Sequence, residues 1–465
     1  MKSKKSEKVS FLVFIISNKR IGDEFYLTGL TRNEKIFLVS KGNIKPGEII
    51  EVEDYRKQGD VYYINTATIR EKEKEFIKFV KKLIERNSEI KIKENLFNDK
   101  LIRSMNDKIC EIASEVKRSI FLNKPIVVRY HNDCDGICSA ISLRKVIGKN
   151  SRFILNKFPY YRKQDMERDL MEIKNLDYEF LNPVFIACDF GSNEECIDSY
   201  KRLIYEGFEI IIIDHHPPSL NFEELNINER SRIKILNPHL FGGGSDYTSG
   251  LLASEVAYKI SGKNEENKKY FGKIISYSFA GDRSKFSYGG EDSKYALVLD
   301  YLCSRKSVDE IMDTIENKEE VTSIYTELLE MIESTKGFAM KKIKKKKINE
   351  ITLILINTDK LVREGDYPTK GDIVGIIHDE ILKKSKGIIT IGYGKRSFNI
   401  RIDERALSLG YDAIDIIKSI KSESKEIIES AGGHKAAAGI RIKEGHSKLI
   451  LKSLIEKIKE RGGMA

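Results

Sequence analysis

Three short segments in the middle of the chain run from an apolar stretch straight into acids or histidines. PIVVRY leads into His131-Asn132-Asp133-Cys134-Asp135-Gly136, PVFIAC into Asp189-Phe190-Gly191, and EIIIID into His215-His216. Apolar runs of this kind are strands buried on both faces, and such strands occur in parallel sheets covered by helices. Helical and strand patterns alternate through this part of the chain, as parallel crossovers require. In open α/β sheets, ligands bind beyond the carboxyl ends of the strands. The pattern therefore predicts that Asp133, Asp135, Asp189, Asp214 and His215 meet at one sheet edge. Asp282, in SFAGDRSK, follows a further apolar stretch and is a candidate for the same edge.

One aspartate at a strand end is ordinarily a turn or helix cap, and a single histidine is more often structural than a ligand. Several such acids beside a tandem histidine are a different case, because only 7 histidines occur among 465 residues. Crowded carboxylates repel one another unless a counter-charge is present. Divalent cations supply it, and a mixture of carboxylates and imidazoles suits Mn²⁺, with Mg²⁺ or Zn²⁺ as alternatives. Two ions sharing a carboxylate are the arrangement that hydrolyses phosphoesters.

The remainder of the chain suggests further modules. Residues 1–72 alternate apolar and polar positions between regular turn signals and predict a small OB-like β-barrel, of a kind that binds single-stranded nucleic acid. A charged helical connector is expected over 73–120, and the α/β domain over 121–310. A helical linker over 311–347 ends in the basic run Lys341–Lys347, and a smaller α/β domain follows over 348–465. The triplet Gly242–Gly244, before Asp246 and Thr248, reads either as a loop beside the site or as a turn with a Ser/Thr cap, the turn being preferred. The net charge of +10 favours a polyanionic partner. No apolar run approaches the roughly 20 residues of a membrane span, and the short FLVFII stretch near the start lacks a cleavage site, so a cytoplasmic protein is expected. The six cysteines form no CxxC pair and read as small buried hydrophobes. There is no GxxxxGK[ST] phosphate loop and no GxSxG elbow, which sets aside nucleotide-driven motors and serine hydrolases.

HNDCDG, DFG, DHH and GD, in this order, resemble the four motifs of the DHH phosphoesterases. The resemblance implies a two-Mn²⁺ hydrolase, with Mg²⁺ possible in place of Mn²⁺. Asp133, Asp135, Asp189, His215 and Asp282 are then the ligands, with Asp189 bridging. His131 stands where related nucleases have Asp or His and is an additional candidate ligand. His216 would contact the scissile phosphate, and Asp214 would hold the histidine pair in place. ESAGGHKAAAG resembles the GGH motif of the associated substrate-binding domain, implying that Gly432, Gly433 and His434 meet a phosphate. SFNIRID places Arg401 where the family grips phosphate, with Asn399 beside it, although the commoner Ser-x-Arg-Ser form is absent.

Length, barrel and the His131 variant are most similar to archaeal RecJ-like single-strand-specific exonucleases. That resemblance implies hydrolysis of DNA or RNA strands to mononucleotides in replication or repair, with the GINS replication complex as an associated partner of such proteins. Two other readings stay open: a DHH phosphodiesterase for short oligonucleotides or cyclic dinucleotides, and a non-catalytic replication scaffold.

Overall fold

A computed structural model describes residues 10–461 except 72, 149–150, 221 and 364, and leaves the side chains of residues 222 and 434 undescribed. The chain forms two compact units, Met1–Lys318 and Glu319–Ala465.

The first unit opens with β1 (Phe11–Ile21), β2 (Glu24–Leu30), β3 (Lys35–Ser40), β4 (Ile49–Gln58) and β5 (Val61–Ile69). They pair in the order β2-β3-β5-β4-β1, and β1 pairs again with β2, so the sheet closes. β3 and β5 run parallel, while the other pairs are antiparallel. Alternate residues such as Val13, Ile15, Leu27, Leu38, Ile50 and Val52 fill the interior. This is the closed five-stranded barrel that the turn spacing predicts.

After helices over Lys74–Ser88, Lys100–Ser104 and Asn106–Phe121 come β6 (Ile126–His131), β7 (Ser151–Asn156), β8 (Glu179–Phe180), β9 (Val184–Cys188), β10 (Glu209–Ile213) and β11 (Ile233–Leu236). β8 adds to the barrel at β1, and the others form a parallel sheet in the order β11-β10-β9-β6-β7. From β6 the chain first builds outward to β7, then returns to place β9 on the opposite side. This reversal between β6 and β9 is a topological switch point, where a crevice opens beyond the strand ends. The apolar runs are buried as expected: Val184 through Cys188 are all fully inaccessible. Five of the six cysteines are buried and the sixth, Cys110, is partly so; all are unpaired.

The helix Ser249–Ser261 spans the first unit's core and fastens the connector to it. Glu255, fully buried, accepts backbone N–H bonds from Leu96 (3.1 Å) and Phe97 (2.8 Å), and Lys259 donates to the Glu94 carbonyl (2.7 Å). Burial outweighs those bonds and pushes the Glu255 carboxyl up to about 7 from an ordinary 4.5. The folded protein thus holds this proton more tightly than the unfolded chain. Its contribution is fully present below the unfolded value, and about 3 kcal/mol is lost as pH rises to the folded one. In Glu255→Gln this slope is expected to vanish. The melting temperature of the wild type relative to the variant should fall between pH 4.5 and 8; a constant difference would refute the assignment.

The second unit holds β12 (Lys344–Ile348), β13 (Ile351–Asn357), β14 (Ile388–Tyr393), β15 (Ser397–Ile402), β16 (Ile428–His434) and β17 (Ala437–Ile442), ordered β12-β13-β14-β15-β17-β16. Only β13–β14 is parallel. Helices Ala413–Glu423 and Ser447–Arg461 cover one face through Ile416, Ile420, Leu454 and Ile458. Helix Lys370–Leu382 packs Ile373, Ile377 and Ile381 against Ile354, Ile356 and Ile388.

The basic run departs from its expected place in a helical linker. The helix Lys318–Met340 ends before it, and Lys344–Lys347 pair with Thr352–Leu355 as an edge strand. Asn349, with φ +49°, turns the chain between Ile348 and Ile351. Backbone pairing is indifferent to side-chain charge when the side chains stay in water, so four exposed lysines are compatible with a strand. The smaller sheet therefore begins before residue 348. Among the described residues, no helix is long and apolar enough to cross a membrane.

Candidate metal centre

β6 delivers His131 to the sheet edge, and the chain turns immediately into helix Cys134–Arg144. Asp133 caps that helix, its Oδ1 accepting the Gly136 N–H at 2.9 Å, while its Oδ2 lies 2.5 Å from His131 Nδ1. Asp135 sits in the first turn and is buried. β9 delivers Asp189 in the left-handed region at φ +64°, a conformation that Asp tolerates better than most residues. Gly191 follows at φ +109°, where a Cβ would lie 2.5 Å from the Tyr200 hydroxyl. β10 delivers Asp214, His215 and His216.

The side chains converge on Asp189. His131 Nδ1 lies 3.5 Å from one of its oxygens and His215 Nε2 lies 3.2 Å from the other. His215 Nε2 is also 3.7 Å from Asp135, and its Nδ1 is 3.6 Å from Asp282. His216 Nδ1 is 3.8 Å from Asp189. Among the described residues, two groups of donor atoms are tight enough for an ion, Asp189–His215–His216 and His131–Asp133–Asp189, and Asp189 belongs to both. Asp135 and Asp282 border these groups.

Neighbouring histidines take different environments. The His215 side chain is 1% exposed and that of His216 is 38% exposed, with the rings inclined at 73°. Asp214 Oδ1 accepts from both backbone N–H groups and approaches His216 Nδ1 at 2.8 Å, while its Oδ2 accepts from Ser192 N–H at 3.0 Å. One histidine thus faces the carboxylates and the other faces the opening.

Further supporting residues come from distant segments. Asp135 accepts N–H bonds from Ser249 (2.7 Å) and Gly250 (2.8 Å) at the start of helix Ser249–Ser261, and the Ser278 hydroxyl approaches at 2.5 Å. A helix N-terminus carries partial positive charge, which favours the carboxylate. The Ser245 carbonyl approaches His215 Nδ1 at 2.7 Å, and the Ser245 hydroxyl donates to the His215 carbonyl at 2.9 Å. Ser245 follows the Gly242–Gly244 triplet, and there Gly242 ends a short helical turn at φ +78° while Thr248 caps the next helix. The triplet is therefore a capped turn and also the loop that orients His215.

The electrostatics favour a cation. Burial opposes protonation of His215, but Asp189, Asp282 and Asp135 outweigh it and raise its pKa well above the ordinary range. His131 behaves likewise through Asp133 and Asp189. Burial would raise the Asp189 carboxyl, yet hydrogen bonds from His131 and His215 hold it well below the usual range. Burial, followed by the charge of Asp189, pushes Asp135 well up, and burial is the main cause that brings Asp282 to about 6. The protein thus balances crowded acids with protons on imidazoles and carboxyls, an office that divalent ions also fill. The oxygen-and-imidazole donor set fits Mn²⁺ or Mg²⁺.

In the second unit, Asn399 lies in a cross-strand row with Gly392, Gly439 and Gly432. Directly opposed residues share a face, so the Asn399 amide stands on bare backbone. Arg401 is two residues along, opposite Thr390 and Ala437. Helix Lys370–Leu382 approaches them through glycines: a Cβ on Gly371 would lie 3.6 Å from Asn399 Oδ1, and one on Gly375 3.8 Å from Arg401 Nε. Gly433 has φ +136°, and a Cβ there would lie 2.3 Å from the Ala437 carbonyl. His434 ends β16 opposite Ala437, and its side chain lies outside the described residues. The two glycines of the helix carried no signal in sequence.

Residues 125–280 match the model of the DHH family, N-terminal domain. An uncharacterised protein of Methanocaldococcus jannaschii is 24% identical over 428 residues, covering 78% of this chain and 55% of its own length. The chain thus spans about half the length of that curated relative. A solved DHH domain, described as a member of the s1p family of ribosomal proteins, superposes with a TM-score of 0.72 at 24% identity, over 83% of this chain and 98% of its own. RecJ of Thermus thermophilus, solved in complex with Mn²⁺, gives a TM-score of 0.52 at 13% identity, over 82% of this chain and 58% of its own. These two structural likenesses are likenesses of fold.

Proposed function

With residues 125–280 a DHH family N-terminal domain, we propose that the chain is a metal-dependent exonuclease that hydrolyses single-stranded DNA or RNA to mononucleotides, in replication or repair. The observation that carries this reading is the position of Asp189, shared by two donor groups at the carboxyl ends of β6, β9 and β10. Two Mn²⁺ ions, or Mg²⁺ in their place, would be held there by Asp133, Asp135, Asp189, His215 and Asp282, with His131 beside them. Ions in such a site acidify water and offset charge on a leaving oxygen.

The chain's own groups supply position. Asp214 fixes the His216 ring at the opening, where it can donate to a non-bridging phosphate oxygen. Ser245 turns His215 toward the acids. Arg401, Asn399 and the Gly432–Gly433 backbone are suited to hold another phosphate of the strand. The barrel offers a surface for the strand beyond the cleavage point.

The test is a product time course with Mn²⁺ on 5′-labelled and 3′-labelled single strands of DNA and RNA. Mononucleotides released from one labelled end are expected, and none from Asp135→Ala. His216→Asn is expected to lower kcat about 10²-fold; calorimetry with Mn²⁺ separates a phosphate contact, which leaves the metal's affinity in place, from membership of the Asp189–His215–His216 donor group, which lowers it. Cleavage confined to dinucleotides or cyclic dinucleotides would make this a short-substrate phosphodiesterase. No metal-dependent hydrolysis of any of them would overturn the enzymatic reading in favour of a scaffold.

A further inference from the structure

A second cavity begins one turn before Asp282. Phe97, Phe279 and Phe286 pack edge to face or tilted, with centroids 5.0 to 5.5 Å apart. They line a cavity of about 320 Å³ together with Lys268, Tyr288 and Asp292. Phe279 lies in the last turn of helix Glu265–Gly281, and Asp282 caps that helix. At the helical rise the two are about 4.5 Å apart along the axis. Phe286 lies on the segment leaving Asp282, and that segment is tied to the His215 loop. The Ser284 hydroxyl donates to the Asp246 carbonyl at 2.7 Å, and the Lys285 N–H donates to Asp246 Oδ1 at 3.0 Å. One stretch of chain therefore forms part of both the donor cluster and the aromatic wall.

Tyr288, at the cavity's edge, is 97% exposed. Gly289 and Gly290 follow it, both in the left-handed region at φ +70° and +67°. So exposed a ring adds almost nothing to the core, and the backbone holds it in water beside three packed phenylalanines. The residues between Asp282 and Phe286 include Arg283 and Lys285, and the Lys285 ammonium stands 5.1 Å from the Phe286 centroid and 3.1 Å from Asp246 Oδ2, with which it is paired. The one acid of the lining, Asp292, already accepts from Ser276 at 2.9 Å. Flat apolar walls bordered by cations match a nucleobase attached to a phosphate backbone.

We propose that this cavity receives a nucleobase of the single strand close to the bond being cut, stacked on Tyr288 and Phe286. The proposal rests on the nuclease reading and names a subsite for it. Stacking of this kind tolerates any base, because every base has a π-face.

The chain contains no tryptophan, so the fluorescence of 2-aminopurine in a short single-stranded oligonucleotide can be read without interference. The base analogue is moved one position at a time from each end, with the metal-free protein, in DNA and RNA versions. Quenching at a position near one end is expected in the wild type. In Tyr288→Ala that quenching is expected to be lost and the Kd to rise about fivefold or more, with Tyr288→Phe restoring both. Equal quenching in the wild type and Tyr288→Ala, or none in the wild type, would overturn the subsite. Hydrolysis by the wild type is scored separately on the same strands. A failed subsite with intact hydrolysis leaves the nuclease standing, whereas specific quenching without hydrolysis keeps the base site and removes the nuclease.

Discussion

Asp189→Asn is expected to remove Mn²⁺-dependent hydrolysis and Mn²⁺-induced thermal stabilisation together, while the metal-free protein stays folded. Asn matches Asp in shape and is among the residues that accept the left-handed region, so the φ of +64° is not strained further. The acceptor oxygen that meets the Ser249 hydroxyl at 3.3 Å can be kept. What disappears is the charge that both donor groups share. Losing several kcal/mol of electrostatic stabilisation corresponds to a fall in kcat of about 10³-fold or more. The wild type should gain about 2.7 kcal/mol of stability at 100 times the metal's Kd, and the variant should gain almost none. His215 should also lose much of its raised basicity, because the Asp189 hydrogen bond is the largest cause that raises it, whereas His131 should keep more, because Asp133 outranks Asp189 there. Melting curves with and without Mn²⁺ decide the matter: a variant that still gains stability from the metal would show that Asp189 is not the shared ligand.

Gly136→Ala is expected to be the most damaging exchange of a single small residue in the chain's central motif. Its φ is unremarkable; the constraint is proximity. A Cβ at Gly136 would lie 2.3 Å from the His131 carbonyl oxygen, 2.7 Å from its nitrogen and 2.8 Å from its carbonyl carbon. All three are backbone atoms of the β6 end, which the central sheet holds in place. The helix Cys134–Arg144 would have to move away, taking Asp133 and Asp135 with it. Such overpacking costs about 3 kcal/mol, and a displacement near 1 Å at a reacting centre costs about 10²-fold in rate. Gly148→Ala is the control, since nothing lies within 4 Å of a Cβ there. Equal melting temperatures and activities for the two variants would refute the argument.

The features readable in sequence are those written locally. Apolar runs leading into His131, Asp189 and Asp214, alternating with helical patterns, disclose a parallel sheet. The barrel is readable from its turns. What cannot be read is the partner of each side chain. Asp135 meets Ser249 across 114 positions, and a backbone N–H donor leaves no trace in residue identity. Ser245 works through its carbonyl, which every residue has. Gly371 and Gly375 look like ordinary helix glycines until Asn399 and Arg401 are placed beside them. The lysine run misleads for a related reason: charge describes side chains, whereas pairing in β12 belongs to the backbone.

That edge strand also bears on how copies of the protein meet. β12 ends its sheet and presents on its outer side a line of backbone groups that another strand could join. Any strand docking there would have to bring its side chains alongside Lys344 to Lys347, all exposed. A second copy docking by the same edge would set lysines against lysines, and like charges directly opposed are unfavourable. The run therefore guards the sheet against growing into open-ended stacks. Exchanging these four lysines for threonine should leave the fold intact and make concentrated solutions turbid on standing.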